Sequence, residues 1–214
     1  MSLFSKPILA LDTAAGASVC LCLPDGKSVS ASMNTPRAHS RELLPLLAQV
    51  VQQQGLTWQD IGAFAVGTGP GSFTGLRVAC ATIAGLNASL NRPVYTLSSL
   101  AITARQARLE DDNELWAIED ARSGLVYAAK FLADQCIEPP QCITWETFLT
   151  FPAASYIALA NIPVDLPGWQ ALGLQQTREQ AWLAEVRSLQ ADADAPKWVE
   201  PLYLQPSQAE KNLV

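Results

Sequence analysis

The chain has 214 residues, with 20 acidic and 14 basic side chains, one histidine and a formal net charge of −6. Apolar residues make up 49% of it and charged residues only 16%, which excludes a disordered chain and leaves few charges for a solvated surface. The acidic balance, with the basic residues scattered, also excludes a protein that grips nucleic-acid backbones by itself.

In chain order, Ile8–Asp12 is a short apolar run ending in a carboxylate, the pattern of a strand buried on both faces. Val19–Leu23 is a second such run. Asp25-Gly26 then turns the chain into a third strand that sets Val29, Ala31 and Met33 on one face and serines on the other. Leucine and valine at helical spacing predict a helix over His39–Gln54, stopped by Gly55, and Pro45 inside it predicts a late start or a kink. A capped turn at Thr57–Asp60 leads to a strand at Ala63–Gly67. The glycine loop Gly67–Gly71 then opens a long helix, Ser72–Leu90, whose glycines and alanines let another helix approach closely. A fifth strand, Pro93–Leu97, and a helix from Ser98 to about Leu109 follow. The polar stretch Glu110–Glu114 is the expected domain boundary, dividing residues 1–109 from 115–214. Beyond it the sequence predicts strands at Trp116–Glu119, Leu125–Leu132 and Tyr156–Ala160, and helices at Thr144–Thr150 and Arg178–Gln190. No repeat with a period of 20–50 residues is visible. The order is that of an α/β fold.

Two segments could carry chemistry. The loop from Gly67 to Arg77 feeds a helix N-terminus and so presents backbone N–H groups to an anion, but it lacks the lysine of a P-loop; a tight strand-to-helix turn explains it equally. Asp12 and Thr13, at a strand end before small residues, fit either a cleft that takes nucleotide phosphates or a plain strand end. His39, the one histidine, has no nucleophile motif to serve and cannot by itself supply paired imidazole ligands, so neither a metal centre nor a serine hydrolase is expected. Cys20, Cys22, Cys80, Cys136 and Cys142 include no C-x-x-C pair and read as small buried hydrophobes in a reducing compartment. The six tryptophans are spread singly, as core or rim residues. Neither a leader nor a membrane span is expected, which places the chain in the cytoplasm.

Leu9–Leu23, His39 with Leu43-Leu44-Pro45, the string Gly67–Arg77 with its GPGSFTGLR, Ser98-Ser99-Leu100, Asp120-Ala121-Arg122 through Tyr127, and Pro201-Leu202-Tyr203-Leu204 together resemble the bacterial TsaB (YeaZ) family. The resemblance implies a two-lobed fold of the actin/Hsp70/sugar-kinase kind (ASKHA), with mixed sheets flanked by helices and a smaller, degenerate second lobe. It also implies a non-catalytic subunit, without independent activity, of the complex that attaches threonylcarbamoyl to adenosine 37 of tRNAs reading codons that begin with A. The implied partners are the catalytic subunit TsaD and the ATPase TsaE, with tRNA met through the complex, a homodimer through the same helices when the chain is alone, and ATP or ADP at a shared interface. The partner face expected from the first two helices comprises His39, Leu43, Leu46, Leu47, Val50, Phe73, Gly75, Leu76, Ala79 and Ile83. Leu125 and Gln205 stand where the family pattern has an acidic residue and an arginine, and Ser155–Gln176 lacks a glycine-rich signature; these departures argue against nucleotide binding by this chain alone. A small ATPase or phosphotransferase of the same superfold, using Asp12 and the glycine loop Gly67–Gly71, is the alternative reading.

Overall fold

The computed structural model describes residues 5–14, 16–33, 39–107, 113–189, 192 and 195–205. Two five-stranded mixed sheets carry the fold. In the first, β1 (Ile8–Asp12) is flanked by antiparallel β2 (Ala17–Cys22) and by parallel β4 (Ala63–Gly69), in the order β3-β2-β1-β4-β5 with β3 at Ser28–Met33 and β5 at Val94–Ser98. In the second, β6 (Glu114–Arg122) pairs antiparallel with β7 (Leu125–Leu132) and parallel with β9 (Ser155–Ala158). Its order is β10-β9-β6-β7-β8, with β8 at Gln135–Thr144 and β10 at Gln170–Ala171. Each sheet is thus an antiparallel three-strand meander whose first strand pairs with a parallel fourth, which in turn pairs with a parallel fifth. One topology therefore occurs twice.

The alternation along β1 explains its uninterrupted apolar run. Leu9 and Leu11 face one core, shared with Leu43, Leu47, Val50 and Val51 of α1 (His39–Gln52) and with Ala79, Cys80 and Ile83 of α2 (Phe73–Leu90). Ile8 and Ala10 face the opposite core, where Ala181, Trp182 and Val186 of α5 (Arg178–Ser188) cover the sheet together with Ile102 of α3 (Ser99–Gln106). The central strand is buried because both of its faces are roofed. The edge strand β3 has one half-buried face and one exposed face, as its serine alternation predicts. Pro45 does not delay α1, which starts at His39 and keeps the proline on its exposed side.

Between the sheets, Leu100, Ala104 and Ala107 on or beside α3 pack against Leu115, Ala117, Ala121, Tyr127 and Phe131 of the second sheet. The other face of that sheet gathers tryptophans that are far apart in sequence: Trp116, Trp145 and Trp169 meet Phe148 and Phe151, with Trp116 stacked on Phe151 and Trp169 on Phe148. α4 (Trp145–Phe148) carries two of these rings.

α5 and the segment 195–205 return to the first lobe, where Val94 donates its N–H to Pro196, Asn87 bonds the Lys197 carbonyl, and Leu202 N–H bonds Thr68. Most of the expected boundary itself, along with Leu109, lies outside the described residues. Two strands escaped the sequence reading. β8 is an edge strand with Pro139-Pro140 in it, and β10 has only two residues.

Candidate functional site

The end of β1 sets Asp12 between the two lobes, fully buried. One carboxylate oxygen accepts the Ala14 N–H at 3.0 Å and the Ser99 hydroxyl at 3.2 Å. The other takes a fork from Arg178, through Nε at 2.9 Å and through Nη2. Arg178 stands in the first turn of α5, whose start is fixed by a Thr177/Gln180 capping box. Its remaining nitrogen, Nη1, reaches Thr103 Oγ1 and Gln106 Oε1 on α3. The guanidinium therefore neutralises Asp12 and ties α5 to β1 and α3. An acid with both oxygens engaged in this way has no free lone pair facing a nucleotide, so Asp12 is held by the fold rather than offered to a ligand. Thr13 is also buried, and its hydroxyl has no hydrogen-bond partner among the described residues.

Neighbouring glycines explain how the loop comes so close. A Cβ on Gly67 would stand 2.4 Å from Asp12 Oδ1, and one on Gly75 would stand 2.5 Å from the Thr13 carbonyl oxygen. Ser72 caps α2 by accepting the Gly75 N–H and donates its own N–H to Ala14. The loop is thus pressed onto the β1–β2 turn, which favours the tight-turn reading of Gly67–Gly71 over an open phosphate cradle.

On the second sheet, Leu115, Ala117 and Ala121 face α3, and strand alternation puts Glu119 in the same row, opposite Tyr127 on β7. Glu119 makes no hydrogen bond or ion pair to any described residue. Burial first of all, with Asp12 and Asp120 adding to it, pushes its carboxyl up to about 7 against the pull of Arg178. A further cross-tie, from Arg105 on α3 to Glu185 on α5 and Asp134 in the β7–β8 turn, strengthens the junction. Gln205, in the arginine position of the family pattern, bonds the Tyr127 hydroxyl and the Ala121 carbonyl.

The residues expected to form a partner face divide by burial. Leu43, Leu47, Val50, Gly75, Leu76, Ala79 and Ile83 lie inside the first lobe's own core, Leu46 and Phe73 are half-buried, and the side chain of His39 lies outside the described residues. This corrects the expected face: those seven residues hold the helices to their own sheet. What α2 turns outward is Thr74, Arg77, Ala81, Ala84, Gly85, Ala88 and Ser89, and α1 beside it exposes Leu44, at 47%. Arg77 is the only charged side chain on α2. It is clamped, with Nε 2.9 Å from the Tyr203 hydroxyl and the guanidinium 4.1 Å from the centre of the Phe73 ring, which stacks on Tyr203 at 4.5 Å. By length and composition this 18-residue helix would also cross a membrane, although one face of it packs on the sheet.

Cys20 and Cys22 are buried with their sulfurs 3.8 Å apart, Cys80 is buried, Cys142 is half-buried and Cys136, contrary to expectation, is exposed. No cluster of three or more potential metal ligands occurs among the described residues. Sequence reasoning found Asp12 but missed Arg178 and Glu119, because nothing near either residue in the chain marks the pairing. It also chose the inward helix positions, since hydrophobicity alone cannot separate a core stripe from a docking stripe.

The family model described as TsaD, tRNA N6-adenosine threonylcarbamoyltransferase, matches residues 33–155, more than half of the chain. The tRNA threonylcarbamoyladenosine biosynthesis protein TsaB of Escherichia coli is 35% identical over 60% of this chain, and that of Haemophilus influenzae 32% identical over 60%. These matches span just over half of the relatives' own lengths, 56% and 55%. Among solved structures, YeaZ from Pseudomonas aeruginosa superposes with a TM-score of 0.68 at 26% identity, covering 85% of this chain and 90% of that one. A second structure, described as an uncharacterized protein with similarity to peptidase YeaZ from Pseudomonas aeruginosa, superposes at 0.71 with 29% identity over 94% of this chain and all of that one.

Proposed function

Because this chain belongs to the TsaB (YeaZ) family, within the wider TsaD-type family of tRNA threonylcarbamoyladenosine biosynthesis proteins, we propose that it works in the cytoplasm as a non-catalytic subunit that docks on a TsaD-type catalytic partner. The observation that carries this reading is the outward face of α2. Along that face the small side chains Ala81, Ala84, Gly85 and Ala88 follow one another with Arg77 as the sole charge, next to exposed Leu44 of α1. Side chains this small let a partner helix approach closely, and the apolar area removed from water drives the association. A second copy of the chain uses the same face when the partner is absent.

Arg178 supports the absence of independent chemistry, since it takes up the one buried carboxylate that a phosphotransferase reading needs. In this account the partner supplies the reacting groups, TsaE joins the pair, tRNA is met through the complex, and any ATP or ADP sits at the shared interface rather than on Asp12. Mixing the chain with the TsaD-type subunit of the same organism at micromolar concentration should give a single species on size-exclusion chromatography. Omitting the chain should abolish tRNA threonylcarbamoylation in a reconstituted reaction. Separate elution together with undiminished modification would reject the reading, and ATP turnover by the chain alone that Asp12→Ala abolishes would replace it with the phosphotransferase alternative.

A further inference from the structure

Arg105 and Arg178 both meet acids of this chain, Arg105 pairing with Glu185 and Asp134 and Arg178 with Asp12. Arg77 is also held in place, yet no acid meets it. Its Nε donates to the Tyr203 hydroxyl at 2.9 Å, and its guanidinium lies 4.1 Å from the centre of the Phe73 ring and 5.7 Å from that of Tyr203. The two terminal nitrogens make no hydrogen bond or ion pair with any described residue. Tyr203 is fixed in turn by the segment 195–205, which is tied down at four points. The Pro196 carbonyl accepts the Val94 N–H at 2.7 Å, and the Lys197 carbonyl accepts Asn87 Nδ2 at 2.7 Å. Val199 is buried in the first lobe's core, and Leu202 donates its N–H to Thr68 at 2.8 Å.

We infer that this segment holds Arg77 as a fork for one carboxylate, an Asp or Glu on the helix that the TsaD-type subunit lays along α2. The inference rests on the docking reading and names the group that the partner presents. Arg77 stands in the outward row of α2 with Ala81, Ala84 and Ala88, and it is the one charge on that helix. Docking takes it out of water, and a cation so desolvated needs a counter-charge that this chain does not place beside it. A planar guanidinium with both terminal nitrogens free matches a carboxylate in two parallel hydrogen bonds. Because the rings already fix the side chain, little of its freedom remains to be lost on binding. A nucleic-acid backbone would call for clustered basic residues, whereas α2 has a single one and the chain carries a net charge of −6.

Calorimetric titration of the chain into the ribonuclease-treated TsaD-type subunit of the same organism, at about 50 and 300 mM salt, tests this. Arg77→Met keeps the apolar stem and should weaken binding by about tenfold or more at the lower salt, and by less at the higher. Arg77→Lys keeps the charge without the fork and should fall between Arg77→Met and the wild type. Tyr203→Phe keeps the stacked ring but frees Nε, and should weaken binding by about threefold at an unchanged melting temperature. If the wild type binds and Arg77→Met binds within twofold of it, the inference is overturned while docking stands. A lowered melting temperature in Arg77→Met with undiminished docking would overturn it too, because the clamp would then only tie down the segment. So would undiminished docking with loss of tRNA binding by the assembled complex, which would put a phosphate on Arg77. No binding by the wild type would overturn the docking reading and this inference with it.

Discussion

At the scale of single residues, the junction makes a prediction about stability. The folded Glu119 carboxyl lies near 7, above its ordinary value of 4.5, so the folded state holds that proton more tightly than the unfolded chain does. Its contribution is fully present below about pH 4.5 and is lost as the pH rises through about 7. Between pH 5 and pH 8 the wild type should therefore lose on the order of 1–3 kcal/mol relative to Glu119→Gln, measured as the difference between their urea-unfolding curves. Parallel pH profiles of the two proteins would contradict this. Gly75 tests the close approach of α2 to β1. A Cβ there meets the Thr13 backbone oxygen at 2.5 Å, which cannot rotate away. Gly75→Val should cost about 1–3 kcal/mol or more and lower the melting temperature; an unchanged melting temperature would show that the loop can move aside.

At the scale of elements, the two faces of α2 should respond in opposite ways. Ala79 is fully buried, and enlarging it should destabilise the fold. Ala84 is exposed, so Ala84→Glu should leave stability within about 0.5 kcal/mol of the wild type by thermal or chemical melting. The helices and central strands were legible in the sequence because their patterns are strong. The uninterrupted run of β1, the serine alternation of β3 and the leucine spacing of α1 each correspond to the observed burial. β8 was illegible because an edge strand does not need an apolar pattern, and Pro139-Pro140 obscures what pattern it has. The outward face of α2 was obscured for the opposite reason: its alanines look the same in sequence whether they face the sheet or water. Arg178 and Asp12 are 166 positions apart, and no local spacing encodes that contact.

At the scale of the whole molecule, the same strand order is built twice along one chain. The second sheet keeps the strand order of the first but ends in a two-residue β10. The first lobe is completed from the far end of the chain, because Trp182 and its neighbours on α5 roof one side of its sheet. A fragment ending at residue 109 would expose Ile8, Ala10 and Ala65 to water and should fail to fold cooperatively in a denaturant titration. A sharp two-state transition in that fragment would show that α5 is dispensable.

The docking account rests most directly on the outward face of α2. Calorimetric titration of the chain into the TsaD-type subunit of the same organism should give micromolar or tighter binding. Ala84→Glu, with its melting temperature intact, should weaken that binding by at least about 30-fold. Binding of the folded Ala84→Glu variant within twofold of the wild type, or no binding by the wild type at all, would contradict the account.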